Sequence, residues 1–198
     1  MATQLQKTEK TRQRLLQAAF TLLQTETVAD LTANKITQAA GISKGGFFHH
    51  FPQIEEFYLY MLDAILQSFE AEMVQQKSSN LEDFLQSSVE FTFEMIDNTP
   101  ELFAAIYSFI DQARLKPNYA GKVKAILESG LQKWTIDLAQ YFPAGFSRKR
   151  QEAIIYLIDI YFAGLGTHYL ILNNKERYRA ITSEFITMLT NHIKGAES

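Results

Sequence analysis

Three stretches of the chain carry residue types that could do chemistry. The first, Gly41-Ile42-Ser43-Lys44-Gly45, fits the G-x-S-x-G pattern of a hydrolase nucleophile elbow. That elbow needs a strand directly before its serine, whereas here apolar residues recur at helix spacing and Ser43 stands where a helix cap is expected. Catalysis is therefore not expected, and the chain is not taken for an enzyme. The second, His49-His50, invites a metal, but adjacent residues on a helix point about 100° apart, and His168 and His192 lie far along the chain. Zinc would need four convergent ligands. The sequence has no cysteine, which rules out disulfides, thiolate nucleophiles and Cys-held metal clusters; no cofactor is expected. The third, Arg148-Lys149-Arg150, has the pattern of a solvated first helical turn.

What remains is attraction to phosphate. The 198-residue chain has a net charge of −3, yet residues 1–51 hold six basic residues (Lys7, Lys10, Arg12, Arg14, Lys35, Lys44) against three acidic ones, a local excess of +3 over a remainder of −6. A basic head on an acidic body suits a protein of which only the head approaches nucleic acid. No secretory signal pattern is visible, so a cytoplasmic protein is expected. Residues 153–172 are apolar over about a bilayer's length, but Asp159, His168, Gly164 and Gly166 interrupt them, so a buried helix is expected rather than a membrane span.

The elements that must position the head follow from periodicity. Hydrophobic residues make up 46% of the chain, enough for a core, and they recur at helix spacing throughout, predicting an all-α fold of about nine helices. A first helix over about 8–24 has Leu15, Ala19, Leu22 and Leu23 on one face. Thr32 is placed to cap a short helix 33–40 that Gly41 stops, and Ser43 to cap another over 44–50. Phe51-Pro52 ends that unit, because a residue before proline is pushed out of helical geometry. The expected domains are 1–52, a small helix-turn-helix head, and 53–198, a larger helical body. In the latter Asn80, Thr99-Pro100-Glu101 and Ser147 mark helix starts, and Lys116-Pro117 a break.

Residues 31–51, LTANKITQAAGISKGGFFHHF, carry the function. Ile36 and Ala40 on one helix, Gly41-Ile42 in the turn, and Phe47 and Phe51 beyond supply the apolar contacts and the turn glycine that two crossed short helices require. In DNA-binding versions the second helix enters the major groove by its N-terminal end, where Lys44 adds attraction to phosphate. Gly45 and Gly46 each cost a helix about 1 kcal/mol relative to alanine, which suggests that they let the backbone approach DNA closely.

The run Lys44-Gly45-Gly46-Phe47-Phe48-His49-His50-Phe51, preceded by Ile36 through Ser43 and by Thr11-Arg12, resembles the tetracycline-repressor (TetR) family of bacterial regulators, whose head ends in a run like K-G-T-L-Y-H-H-F. The resemblance covers the first quarter of the chain. It implies that Thr32, Asn34, Ser43, Lys44, Gly45, Gly46, Phe48 and His49 lie at the DNA surface, the threonine and histidine mainly on phosphates. Phe48 stands where the family usually has tyrosine, Asn34 where arginine is frequent, and Ile54 where lysine is common. Each departure removes a phosphate contact, so the salt dependence of operator binding is expected to be shallower than in a member with all three.

The resemblance further implies a homodimer built on the last two long helices, 151–172 and 175–193, with Tyr156, Ile160, Ala163, Gly164, Phe185 and Leu189 as expected contacts. Its operator would be a near-palindrome with half-sites about 34 Å apart. A repressor released by a small-molecule effector is the function implied. Aromatics in the body and polar residues stranded on apolar stretches, costly to bury unpaired, nominate Phe91, Glu94, Tyr107, Asp111, Trp134, Tyr161 and His168 for a largely apolar effector. The competing expectation is a helical adaptor that binds protein partners and no DNA.

Overall fold

In a computed structural model, residues 4–75 and 78–195 are described. They form nine α-helices: α1 (Gln4–Leu23), α2 (Ala33–Ala40), α3 (Lys44–His50), α4 (Ile54–Gln75), α5 (Leu81–Asn98), α6 (Pro100–Leu115), α7 (Pro117–Leu138), α8 (Arg148–Leu172) and α9 (Lys175–Lys194), with no strand among the described residues. The expected all-α class is borne out.

Several helix starts are set by the residues that the sequence marks for them. The side chains of Thr32, Ser43, Asn80 and Ser147 each accept a backbone N–H three residues on, satisfying a donor that the first helical turn would otherwise leave unpaired. Gly41 ends α2 at φ +63°, left-handed geometry that favours glycine. Thr99 differs from expectation. Its hydroxyl donates back to the Met95 carbonyl at 3.0 Å, and its N–H bonds the same oxygen, so it closes α5.

The helices divide between two compact units. The first comprises the chain up to Leu66 with Glu101–Lys124. It takes in all of 1–52 and adds the first three turns of α4, because Phe57, Met61 and Leu62 are wholly buried in it. Its core also holds Leu15, Ala19, Ile36, Phe47 and Phe109, all at 0% exposure. Burying the leucine, isoleucine, methionine and phenylalanine side chains contributes about 1.5–3 kcal/mol each.

The second unit, Gln67–Pro100 with Ala125 onward, has its close backbone packing among α5, α8 and α9. Leu85, Phe93, Ile155 and Ile158 are buried there. Two ion pairs tie α5 to α9: Asp97 takes Lys175 at 2.6 Å and the Tyr169 hydroxyl at 2.7 Å, and Glu90 takes the Arg179 guanidinium. These cations hold both carboxyls below their ordinary pKa.

Helix α8 corrects the expectation of a buried helix. It is the one described helix long and apolar enough to cross a membrane, and only a third of that apolar window is buried. Ile154, Ile155, Ile158, Leu165 and Tyr169 face inward. The opposite side exposes Tyr156, Leu157, Ile160, Ala163 and Gly164 at three- and four-residue steps, an apolar stripe that Thr167 and His168 interrupt before Ile171 and Leu172.

Candidate nucleic-acid interface

The site is built on a clamp around α2 and α3. Phe47, the one fully buried residue of α3, sits with its ring centroid 5.7 Å from Phe51 and 5.3 Å from Phe57 of α4. Phe51 in turn meets Phe57 edge-on at 5.1 Å. This aromatic set fixes α3 against α4, and such pairs add about 0.5–1.5 kcal/mol beyond their area. From the other side Arg12 of α1 lies over the Phe51 and Tyr60 rings at 5.0 and 5.5 Å. The Tyr58 hydroxyl donates to the Leu31 carbonyl at 2.6 Å, anchoring α4 to the segment just before α2.

The turn itself is held by a residue that the motif does not mark. Arg14 of α1 donates through Nη2 to the Ala40 carbonyl at 2.7 Å, capping the end of α2 where unpaired carbonyls and the helix dipole favour a cation. Ile42 N–H closes the turn onto Thr37. Nothing local in the sequence announces Arg14, which lies 26 residues from its acceptor.

With both helices pinned from within, their outer faces are free. Thr32, Asn34, Ser43, Lys44, Gly45, Phe48 and His49 are all exposed on α2, α3 and their caps. The Phe48 ring leans edge-on against Phe47 at 5.3 Å while 38% of the residue stays exposed. Lys44 is exposed at the start of α3 and forms no ion pair among the described residues, whereas Lys35 is tied to Glu26 at 2.8 Å. The ring of His50 is half-buried, and desolvation, with His49 and Arg12 adding to it, lowers its pKa. It is therefore neutral at physiological pH, while His49 faces out.

The two glycines of α3 part company. At Gly45 an added Cβ would meet nothing within 4 Å, consistent with backbone open to an approaching surface. At Gly46 it would lie 3.1 Å from Ile42 Cγ2 and 3.3 Å from Ser43 Oγ. Close packing of the turn against the first turn of α3 accounts for a glycine at Gly46, which is half-buried where Gly45 is exposed.

The residues nominated for an effector do not form one group. Tyr107 and Asp111 belong to the first unit, where Tyr107 rests on Phe103 and Asp111 pairs with Arg114 on an exposed turn. The second unit holds the others. Trp134 meets Phe84 and Phe162, each at 6.4 Å; Tyr161 stacks on Phe185 at 3.8 Å and donates to Thr182; Phe91 meets Phe69. Glu94 and His168 are exposed, the latter edge-on to Tyr178. Of the residues nominated for dimerisation, Tyr156, Ile160, Ala163 and Gly164 lie on the exposed stripe of α8. Leu189 does not, being 5% exposed inside its own unit, and Phe185 is half-covered by Tyr161; the exposed apolar residues of α9 are Ile181 and Met188.

Residues 15–61, which hold α2, α3 and the rings behind them, match the family model of bacterial regulatory proteins, tetR family. Among solved structures, a transcriptional regulator from Streptomyces coelicolor shares 20% identity over 91% of this chain and 98% of its own, with a TM-score of 0.71. A TetR-family transcriptional regulator from Rhodococcus is 15% identical over 91% and 98%, with a TM-score of 0.77. The multidrug binding protein EbrR is 17% identical over 90% and 93%, with a TM-score of 0.66. The first two are transcriptional regulators, and the fold shared with all three extends over nine-tenths of the present chain. Residues 15–61 thus carry the head of bacterial regulatory proteins of the tetR family, and the chain takes the fold of transcriptional regulators over nine-tenths of its length.

Proposed function

We propose that the protein is a cytoplasmic repressor that binds a near-palindromic operator as a homodimer and is released by a small-molecule effector. The observation that carries the reading is the exposed, locally basic face of α2 and α3, where Thr32, Asn34, Ser43, Lys44, Gly45, Phe48 and His49 point outward from helices clamped from behind. Lys44 and His49 would meet phosphates; Asn34 and Phe48 would approach base edges, the phenyl ring suited to a thymine methyl.

The α8 stripe supports the dimer. An apolar stripe such as Tyr156, Leu157, Ile160, Ala163 and Gly164 is exposed at a cost unless another surface covers it, and a second copy of the same stripe meets that need by two-fold symmetry. Ala163 and Gly164 let two helices approach closely there, since an added Cβ at Gly164 would meet nothing within 4 Å. Dimerisation would set two copies of α3 about 34 Å apart, one turn of DNA. An effector releases DNA only if it favours the other spacing by a few kcal/mol.

Fluorescence anisotropy on labelled duplex tests the reading. Sequence-selective binding that weakens in Lys44→Ala and loosens with an effector supports it. Binding to protein partners with no selective binding to any duplex would favour an adaptor instead.

A further inference from the structure

Four polar residues interrupt apolar stretches of the body: Glu94, Asp111, Asp159 and His168. Three are accounted for, because Glu94 and His168 are exposed and Asp111 pairs with Arg114. Asp159 is half-buried in the second unit, and no hydrogen bond or ion pair holds it among the described residues. Burial pushes its carboxyl above the ordinary value with no charge to offset it. A carboxylate taken from water without a partner is costly.

Its surroundings follow from helix geometry. On α8, Tyr161 faces α9, stacking on Phe185, while Phe162 faces α7, edge-on to Trp134. At about 100° per residue, Asp159 lies some 60° round from Phe162, on the side away from Tyr161 and at the edge of the exposed stripe, where Tyr156 and Ala163 are its neighbours three and four residues away. Buried Ile155 and Gly166 are its neighbours one and two turns along. The Phe162 ring continues through Trp134 and Phe84 to Tyr141, each pair of centroids 5.9–6.4 Å apart and every ring half-buried rather than sealed. Close backbone packing in this unit is concentrated among α5, α8 and α9, so the α7 side is spanned by rings.

An unpaired carboxylate beside aromatic faces attracts a particular chemistry. A metal ion would need further ligands, and no group of three His, Asp or Glu converges among the described residues. A cation with an apolar body needs only one counter-charge and π faces. The geometry points to a lipophilic organic cation as the effector class, its charge against Asp159 and its body against Phe162 and Trp134. This assignment rests on the reading that the protein is released from DNA by an effector.

Tetraphenylphosphonium and tetraphenylborate share a shape and differ in sign, so titrating the full-length protein with each isolates the charge. Trp134 is the single tryptophan and reports binding by quenching. The phosphonium is expected to bind at least about tenfold more tightly than the borate, a factor set by one charge contact. Asp159→Asn is expected to abolish that preference and Asp159→Glu to keep it. Equal affinity for the two ions in the natural protein, which needs no variant to fold, overturns the proposal, as does a preference that survives Asp159→Asn. Operator affinity measured alongside separates the two readings. Phosphonium bound through Asp159 without loss of operator affinity upholds the site and removes effector release. Release by a neutral or anionic compound while the phosphonium stays unbound upholds release and removes the cation.

Discussion

The ring set behind α3 and the ring set on the α7 side of the second unit are used in opposite ways. In the first, Phe47, Phe51 and Phe57 are 2% exposed or less and meet at 5.1–5.7 Å. In the second, Phe84, Trp134 and Phe162 stay half-buried and meet at 6.4 Å. A helix pair that must enter a groove in one orientation needs rings that cannot move, since interiors packed this closely transmit strain instead of absorbing it. A surface that must admit a ligand needs rings that are already partly uncovered.

The largest expected effect tests that contrast directly. Phe47→Ala should cost about 3–5 kcal/mol in denaturant unfolding, the usual penalty for a cavity at a fully buried ring, whereas Trp134→Ala should cost less than half as much. Equal losses would erase the distinction between the units. Next comes the outer face of α8. Ile160 is 65% exposed, so Ile160→Glu should leave each unit's core intact yet shift sedimentation to a monomer, with operator affinity falling by roughly tenfold or more as the two heads lose their linkage. A variant that still sediments as a dimer would remove this stripe from the interface.

A smaller effect sharpens the account of the head. Asn34 is exposed beside the cap of α2, and Ile54 opens α4. Asn34→Arg with Ile54→Lys should steepen the slope of log affinity against log salt by about two, since each added phosphate contact contributes about 0.9. An unchanged slope would mean that neither position faces DNA.

The smallest effect belongs to the α5–α9 ion pairs. Lys175, joined by Tyr169, and Arg179 depress the carboxyls of Asp97 and Glu90 below 3.8 and 4.5 respectively. Their contribution is therefore fully present above those values and lost as pH falls through the lower folded ones. Both carboxylates are more than a third exposed, so solvent screening holds each pair to about 0.2–1 kcal/mol. Thermal unfolding of Lys175→Met with Arg179→Met should approach the natural protein's below pH 4 and fall slightly short of it at pH 7.

What the sequence disclosed and what it hid divide by range. Helix ends were legible because caps are local: Thr32, Ser43, Asn80 and Ser147 each act within three residues, and Gly41 takes the backbone geometry that glycine favours. Arg14 was hidden because its acceptor is on another helix. Gly46 looked like an open backbone because composition does not show that Ile42 folds back over it. Leu189 and Met188 are equally apolar, and only packing decides that the former turns in and the latter out. Helix α8 misled for a related reason: apolarity all round signals burial, yet only a third of its apolar window is buried within the chain.

The central claim is that the Lys44 end of α3 enters the groove of DNA, twice per dimer. Selection of bound duplexes from a random pool, repeated with Lys44→Ala, tests it most directly. The account predicts enrichment of a near-palindrome with half-sites one helical turn apart, and for the variant weaker binding with a salt slope lower by about one. Enrichment of no sequence, or identical affinity and slope for the two proteins, would contradict it.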